Sequence, residues 1–240
     1  MVNKFVLVVL IFLGWEALCM IKKLPHTIEI ISAFISEWDY ILISIWHSLS
    51  MIAMGFIIIL VLSFLLVLLS QKKIFDDWLN LLITICHPIP GVALLPVIWM
   101  TIGPRQEAIL IIVIHAMIWP FLINVKQATD EVQRTYRDII SLFDITFYNR
   151  IKLFIKGVMP SVISGAKIAW SRGWRAFISA EMIFSVVGES TGIGWYIFEK
   201  RIWGPPAGVF AGIIAIIVIS LLIEKYVFHY FESITIKKWQ

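Results

Sequence analysis

The chain has 240 residues, 60% hydrophobic and only 15% charged, with a net charge of +4 and a mean hydropathy of +0.91. A soluble fold of this length needs more polar surface, so the composition excludes a water-soluble domain and points to the bilayer. No basic tail or RNA-binding signature is present, which excludes nucleic acid as a partner.

Phe5 to Met20 is apolar except for Glu16 and follows a basic start at Lys4. A secretory signal has a similar shape, but the carboxylate inside the apolar run and the multi-pass chain beyond it favour a retained helix over 5–21. Tyr40 to Gln71 contains no Asp, Glu, Lys or Arg in 32 residues. A span needs only about 20 residues, so the helix predicted over 44–70 is tilted or begins in the outer interface. Trp78 to Pro104 also lacks those charges but holds Pro88 and Pro90. Each proline removes a backbone donor and clashes with the preceding turn, so the span over 78–102 is predicted to kink or break there. Ala108 to Val125 gives a fourth span, over 107–125. Gly204, Pro205 and Pro206 place the start of the last one near Ala207, over 207–226.

Pro160 to Val187 is ambiguous, because Lys167, Arg172, Arg175 and Glu181 interrupt otherwise apolar sequence. Charge placement decides for a span over 159–188. With six spans, twelve Lys and Arg fall on one side and five on the other, with three inside this helix. That asymmetry obeys the positive-inside rule with both termini in the cytoplasm. The expected fold is therefore all-α and integral to the membrane, one domain over 1–240 with about six transmembrane helices. Cys19 and Cys86 sit in apolar runs, and adjacent Cys86 and His87 point apart on a helix, so no metal site is expected.

The loop from Lys126 to Lys156 carries ten charges, yet Ile139, Ile140, Leu142, Phe143, Ile145, Phe147 and Tyr148 recur with roughly helical spacing. Such an amphipathic segment lies on the membrane, packs beneath its own helices, or docks a partner protein.

Arg150–Gly165, RIKLFIKGVMPSVISG, resembles the segment after the cytoplasmic loop of binding-protein-dependent ABC importer permeases, with Met159-Pro160 where that family has Leu-Pro. His87–Gly103 (HPIPGVALLPVIWMTIG), Gly173–Phe184 (GWRAFISAEMIF) and Gly192–Arg201 (GIGWYIFEKR) resemble the nitrate/sulfonate/taurine branch of the same family. The resemblance implies a type I importer permease fold in the bacterial inner membrane and a short coupling helix that fits a cleft of an ATPase subunit. That helix would span about Asp138–Tyr148. Leu142, Phe143 and Phe147 would enter the groove, Arg137 and Asp144 would stand on its rim, and Asp138 and Ser141 would belong to the same surface. Ser141, Leu142 and Phe143 occupy the family's Glu-Ala-Ala positions, and Phe147 replaces its Gly. A Gly allows a tight turn that Phe does not, so the turn shifts toward Asp144 or Asn149. Implied partners are ABC ATPase subunits, a second permease chain in a homodimer, and an extracytoplasmic solute-binding protein. No Gly-x-x-x-x-Gly-Lys-Ser/Thr loop occurs in the chain, so no cofactor is expected here and ATP belongs to the partner subunit.

Arg172 and Arg175 stand three residues apart and so share a helix face near mid-bilayer, taking a helix start near Pro160. Glu181 lies closer to the outer side and on a different face. All three are candidates for the translocation pathway, where arginine suits bidentate recognition of sulfonate or carboxylate. The alternative is structural: each pairs with a neighbour, or with a carboxylate such as Glu181 of a second subunit. His47 and His115 are expected to be hydrogen-bonded packing residues, with proton coupling as their alternative. Trp38, Trp46, Trp99, Trp195 and Trp203 are read as interface anchors. A secondary transporter or channel using the intramembrane His and Arg is the first rival function. An intramembrane enzyme is the second, and no nucleophile–base motif supports it.

Overall fold

Backbone polar groups inside a bilayer have no water to bond, so a chain this apolar closes its hydrogen bonds within helices. A computed structural model describes residues 4–22, 24–103, 105–142, 146–184 and 191–235, and every regular element among them is helical. In chain order they are α1 (Lys4–Lys22), α2 (Thr27–Ser36), α3 (Trp38–Leu69), α4 (Lys73–Cys86), α5 (Leu95–Ile102), α6 (Gln106–Leu142), α7 (Phe147–Phe184), α8 (Ile193–Trp203), α9 (Pro206–Leu222) and α10 (His229–Thr235). A 3₁₀ turn, Gly91–Leu94, leads into α5, and a π-helical turn, Ile223–Phe228, joins α9 to α10.

Three helical stretches are long and apolar enough to cross a membrane: Trp38–Leu69, Gln106–Tyr136 and Pro206–Thr235. The α4–α5 pair makes a fourth when taken as one broken span, bent by 88°. The break falls at Pro88 and Pro90, as expected from their missing donors. Two expectations are corrected. α7 does not start near Pro160 but at Phe147, with Pro160 inside the helix; one lost amide is tolerated where a neighbouring helix supports the backbone. The helix that holds the last expected span does not end at 226 but continues through the π turn to Thr235. The short helices α2 and α8 were not predicted.

α3 is hydrophobic all round, so its buried face is marked by size rather than polarity. Ser44, Ser48, Ile52, Gly55, Ile59 and Ser63 form a buried stripe of small and β-branched residues at helical spacing. Gly55 faces Leu110 and Val113 of α6, where a Cβ would stand 3.3 Å from each side chain. Small residues let helix axes approach, and in lipid that close packing, not apolar burial, holds helices together.

The centre of the molecule is the α6–α7 hairpin. Three α7 glycines face α6: Gly157 lies against Val132 and Tyr136, Gly165 against Asn124 and Phe121, and Gly173 against Met117. The main core gathers around it, with Ile52, Ile112, Val113, Met117, Ala169 and Phe177 buried together. A second cluster centres on fully buried Tyr196 of α8, with Ile41, Ile193, Ala211 and Ala215.

The α1–α2 junction is closed by Glu16. Its carboxylate accepts from the Thr27 backbone N–H (3.0 Å) and hydroxyl (2.6 Å) and meets His26 Nδ1 at 2.7 Å. The residue that interrupts the first apolar run thus caps the next helix.

Candidate functional site

Proline chemistry creates the site. Pro88 and Pro90 cannot donate, so α4 stops at Cys86 and the chain restarts at Gly91. Backbone groups freed by such a break persist at membrane depth only against protein or water. Gly91 is required by close approach: a Cβ there would meet the Ile112 carbonyl oxygen of α6 at 3.0 Å. At the far end of α5, Gly103 takes φ 84°, a left-handed conformation that terminates the helix and favours glycine.

A cleft of about 420 Å³ opens at the break. Its walls are His87 to Gly91, His115 and Trp119 of α6, and Arg172 and Arg175 of α7. The shared face read from their spacing therefore holds, and it turns toward the broken helix. Arg175 is anchored within α7, with Nε donating to the Ser171 carbonyl oxygen (3.1 Å) and Nη2 to its hydroxyl (3.4 Å). Arg172 makes no hydrogen bond or ion pair to a described residue. The His115 ring meets Trp119 edge to face at 5.9 Å, and its Nδ1 has no hydrogen-bond partner among the described residues. Among the described residues the hydrogen bond expected for it is not found. His47 Nδ1 likewise lacks one among those residues and stands 4.0 Å from Glu181 Oε1.

Glu181 does not join the arginines. It is fully buried, and its two oxygens accept from the backbone N–H groups of Gly192 and Gly194, each at 2.8 Å. The Ile193 N–H between them donates to Ser48 Oγ of α3 at 2.9 Å. The first amides of α8 have no intrahelical acceptor, and α7 and α3 supply one to each of these three. Gly194 is fitted to the arrangement, since a Cβ there would stand 2.8 Å from the Ile178 carbonyl oxygen.

Farther along α6, Lys126 is buried and pairs with Asp76 of α4 and Asp130, both at 2.9 Å. Gln133 Nε2 donates to Gln71 Oε1 at 2.7 Å. This polar brace was not foreseen; the Lys126–Asp130 spacing was its only legible sign. Beyond it the hairpin continues through a small apolar cluster of Ala128, Val132 and Val158. Arg137, Asp138, Ser141 and Leu142 lie in the last turns of α6, and only their backbone is described. Phe143 and Asp144 lie outside the described residues. Phe147 opens α7 and is 77% exposed. The two ends of the expected 138–148 helix therefore belong to two different helices. Among the described residues, no three His, Cys, Asp or Glu stand close enough to hold a metal ion.

This geometry, a broken span facing two arginines with a long helical hairpin beyond it, carries no catalytic arrangement, and comparison with known families supplies its setting. Residues 59–227 match the family described as binding-protein-dependent transport system inner membrane component. The chain belongs to that family. The segments His87–Gly103, Gly173–Phe184 and Gly192–Arg201, which carried the resemblance, all lie inside the match. This inner-membrane component is 23% identical over 199 residues to the nitrate import permease protein NrtB of Synechocystis sp., covering 81% of this chain and 70% of that one. It is 22% identical over 182 residues to the bicarbonate transport system permease protein CmpB of Synechococcus elongatus, covering 75% and 64%. With the taurine transport system permease protein TauC of Escherichia coli it shares 27% over 149 residues, covering 61% and 52%. The chain thus spans between about half and seven tenths of the length of these relatives. It is a permease component of a binding-protein-dependent transport system, similar to ABC importer permeases named for nitrate, aliphatic sulfonates and taurine.

Proposed function

We propose that this permease is the membrane-spanning half of an ATP-driven importer for a small anion, such as a nitrate-like solute or a sulfonate, and that Arg172 and Arg175 line the route. The observation that carries the proposal is the cleft at the α4–α5 break, where both arginines meet a gap in a membrane helix. Gly173 packs on Met117, the middle of the expected 107–125 span, so the guanidinium groups stand near mid-bilayer. A charge there costs roughly 2.5–3.5 kcal/mol on insertion scales, which is met when it faces water or an anion. Guanidinium presents a planar fork of donors that matches nitrate, carboxylate and sulfonate oxygens. Relatives named for nitrate, bicarbonate and taurine support the same class.

In this reading α1, α3, the α4–α5 pair, α6, α7 and α9–α10 make six spans with both termini cytoplasmic. A second copy of the chain completes the pathway. An extracytoplasmic binding protein delivers the solute, and ATP is bound by ATPase subunits that dock at the 126–156 tip. Arg137, Asp138, Ser141, Leu142, Phe143, Asp144 and Phe147 form the docking surface. The exposure of Phe147 and Tyr148 supports this, since the described residues leave both aromatics largely uncovered.

Uptake into proteoliposomes by the complex with its ATPase subunits tests the assignment. Arg172→Gln should cut uptake of nitrate and taurine about tenfold, the worth of one charge-assisted hydrogen bond, while a neutral solute is spared. Equal loss for both classes would sink the anion role. A second reading, a secondary transporter, draws on His115 in the cleft, whose Nδ1 has no partner among the described residues. Uptake that continues without ATP hydrolysis but stops without an ion gradient would favour it.

A further inference from the structure

Lys167, Ser171 and Arg175 follow one another at intervals of four along α7 and so share a face. They line a second cavity, of about 710 Å³, between α7 and the α9–π segment, with Ser220 and Glu224 opposite. Arg175 also lines the cleft at the α4–α5 break, so the two cavities meet at one side chain. At the other end, Lys167 Nζ stands 2.8 Å from Glu224 Oε1 and 3.8 Å from Glu232 Oε1. Gly165 packs on Asn124 and Phe121 near the inner end of the expected 107–125 span, which puts Lys167 at the same level. A ladder of donors therefore runs from the arginine cleft to the inner edge, where two carboxylates hold one ammonium.

We propose that this ladder is the inner half of the anion route and that Lys167, Glu224 and Glu232 form its gate. The proposal rests on the importer reading above. In the closed arrangement the trio carries a net negative charge, which repels an anion leaving the arginines and occupies the cation that would receive it. Partly exposed ion pairs add little stability, and a second carboxylate on one lysine is surplus to a simple staple. Glu224 sits in the π turn, a helical form that is rare and recurs at functional sites. Lys225 in the same turn lies 5.4 Å from the Tyr226 ring centroid. Rearrangement of the π turn moves Glu224, and the swing of α10 that follows moves Glu232, so both carboxylates leave Lys167 and its ammonium faces the route.

The test uses the full chain with its ATPase subunits and binding protein in proteoliposomes, with nitrate and taurine as probes, and with Cys19→Ser and Cys86→Ser as background. Bridging Lys167→Cys to Glu224→Cys with a short bifunctional methanethiosulfonate should lower ATP-driven uptake about tenfold, as for any lid whose motion transport requires, and reduction should restore it. Monofunctional labelling of the same variant should give uptake no lower than that of the unlabelled cysteine variant, which is the reference for the bridged protein. Independently, the double variant Glu224→Gln, Glu232→Gln should release entrapped nitrate about fivefold faster than the parent without ATP, because the electrostatic barrier is gone. The charge swap Lys167→Glu, Glu224→Lys should stay tight. Full uptake by the bridged protein, or unchanged release by the double variant, overturns the gate while leaving the importer reading intact. Absence of ATP-dependent uptake by the parent complex removes the importer reading and the gate with it.

Discussion

Gly192 and Gly194 each donate a backbone N–H to the buried Glu181 carboxylate, and these two amides have no other acceptor in their own helix. Glu181→Ala leaves both without a partner in apolar surroundings, a loss of about 3 kcal/mol, and thermal unfolding in nanodiscs should show it. Glu181→Gln keeps one acceptor oxygen and should fall between. A second residue gives a pH dependence. The Glu16 carboxylate beside His26 raises the imidazole above its ordinary value of 6.5, against a smaller opposing effect of burial. A raised folded value means that protonated His26 favours the fold, fully below 6.5, and that this contribution is lost as pH rises through the folded value. Melting temperature should therefore decline over that window, and Glu16→Gln should flatten the decline. Legibility differed sharply among these residues. The common face of Arg172 and Arg175 followed from a spacing of three, but the cleft they enter needs His115 from α6 and the break at Pro88, which no local pattern links. Glu181 was grouped with them because it is a charge in a membrane helix. Its partners are backbone amides of another helix, and a backbone amide has no side-chain signature.

Long uniform helices and proline breaks were legible at the level of elements, because composition alone determines them. α2 and α8 were not, since pieces of 10 and 11 residues are too short for a span, and the loops that hold them look like mere connections. The start of α7 was misplaced for a physical reason. Pro160 was taken as a first-turn residue, its usual place in soluble helices, whereas the glycine seam against α6 supports the helix on both sides of it. The periodicity over 139–148 likewise has two sources, the last turns of α6 and the first of α7, rather than one separate helix. The proposed docking tip makes a prediction at this scale. Leu142→Asp with Phe143→Asp should abolish co-purification of the ATPase subunit while the permease still folds and inserts. Normal recovery of the complex would remove the tip as the docking element.

Over the whole molecule, large apolar side chains remain uncovered on the outer faces of the helices, among them Trp46 on α3, Met100 on α5 and Trp203 on α8. Lipid satisfies such faces as well as protein does, so the apolar surface alone does not fix the number of chains. The proposed pair of chains makes a prediction at this scale. Native mass spectrometry of the purified complex should find two copies of this permease; one copy beside a different permease chain would reject the homodimer. The cap on α8 also bears on how the protein reaches its membrane. In the proposed six-span reading α7 carries Lys167, Arg172, Arg175 and Glu181 into the bilayer and is poorly suited to insert alone. Glu181 meets its two amides only after residue 194 has left the ribosome, and Ile193 meets Ser48 across 145 residues of chain. In that reading the emergence of α8 completes the setting of Glu181, and a nascent chain halted before residue 194 would hold α7 without the two amides that its carboxylate meets in the finished fold.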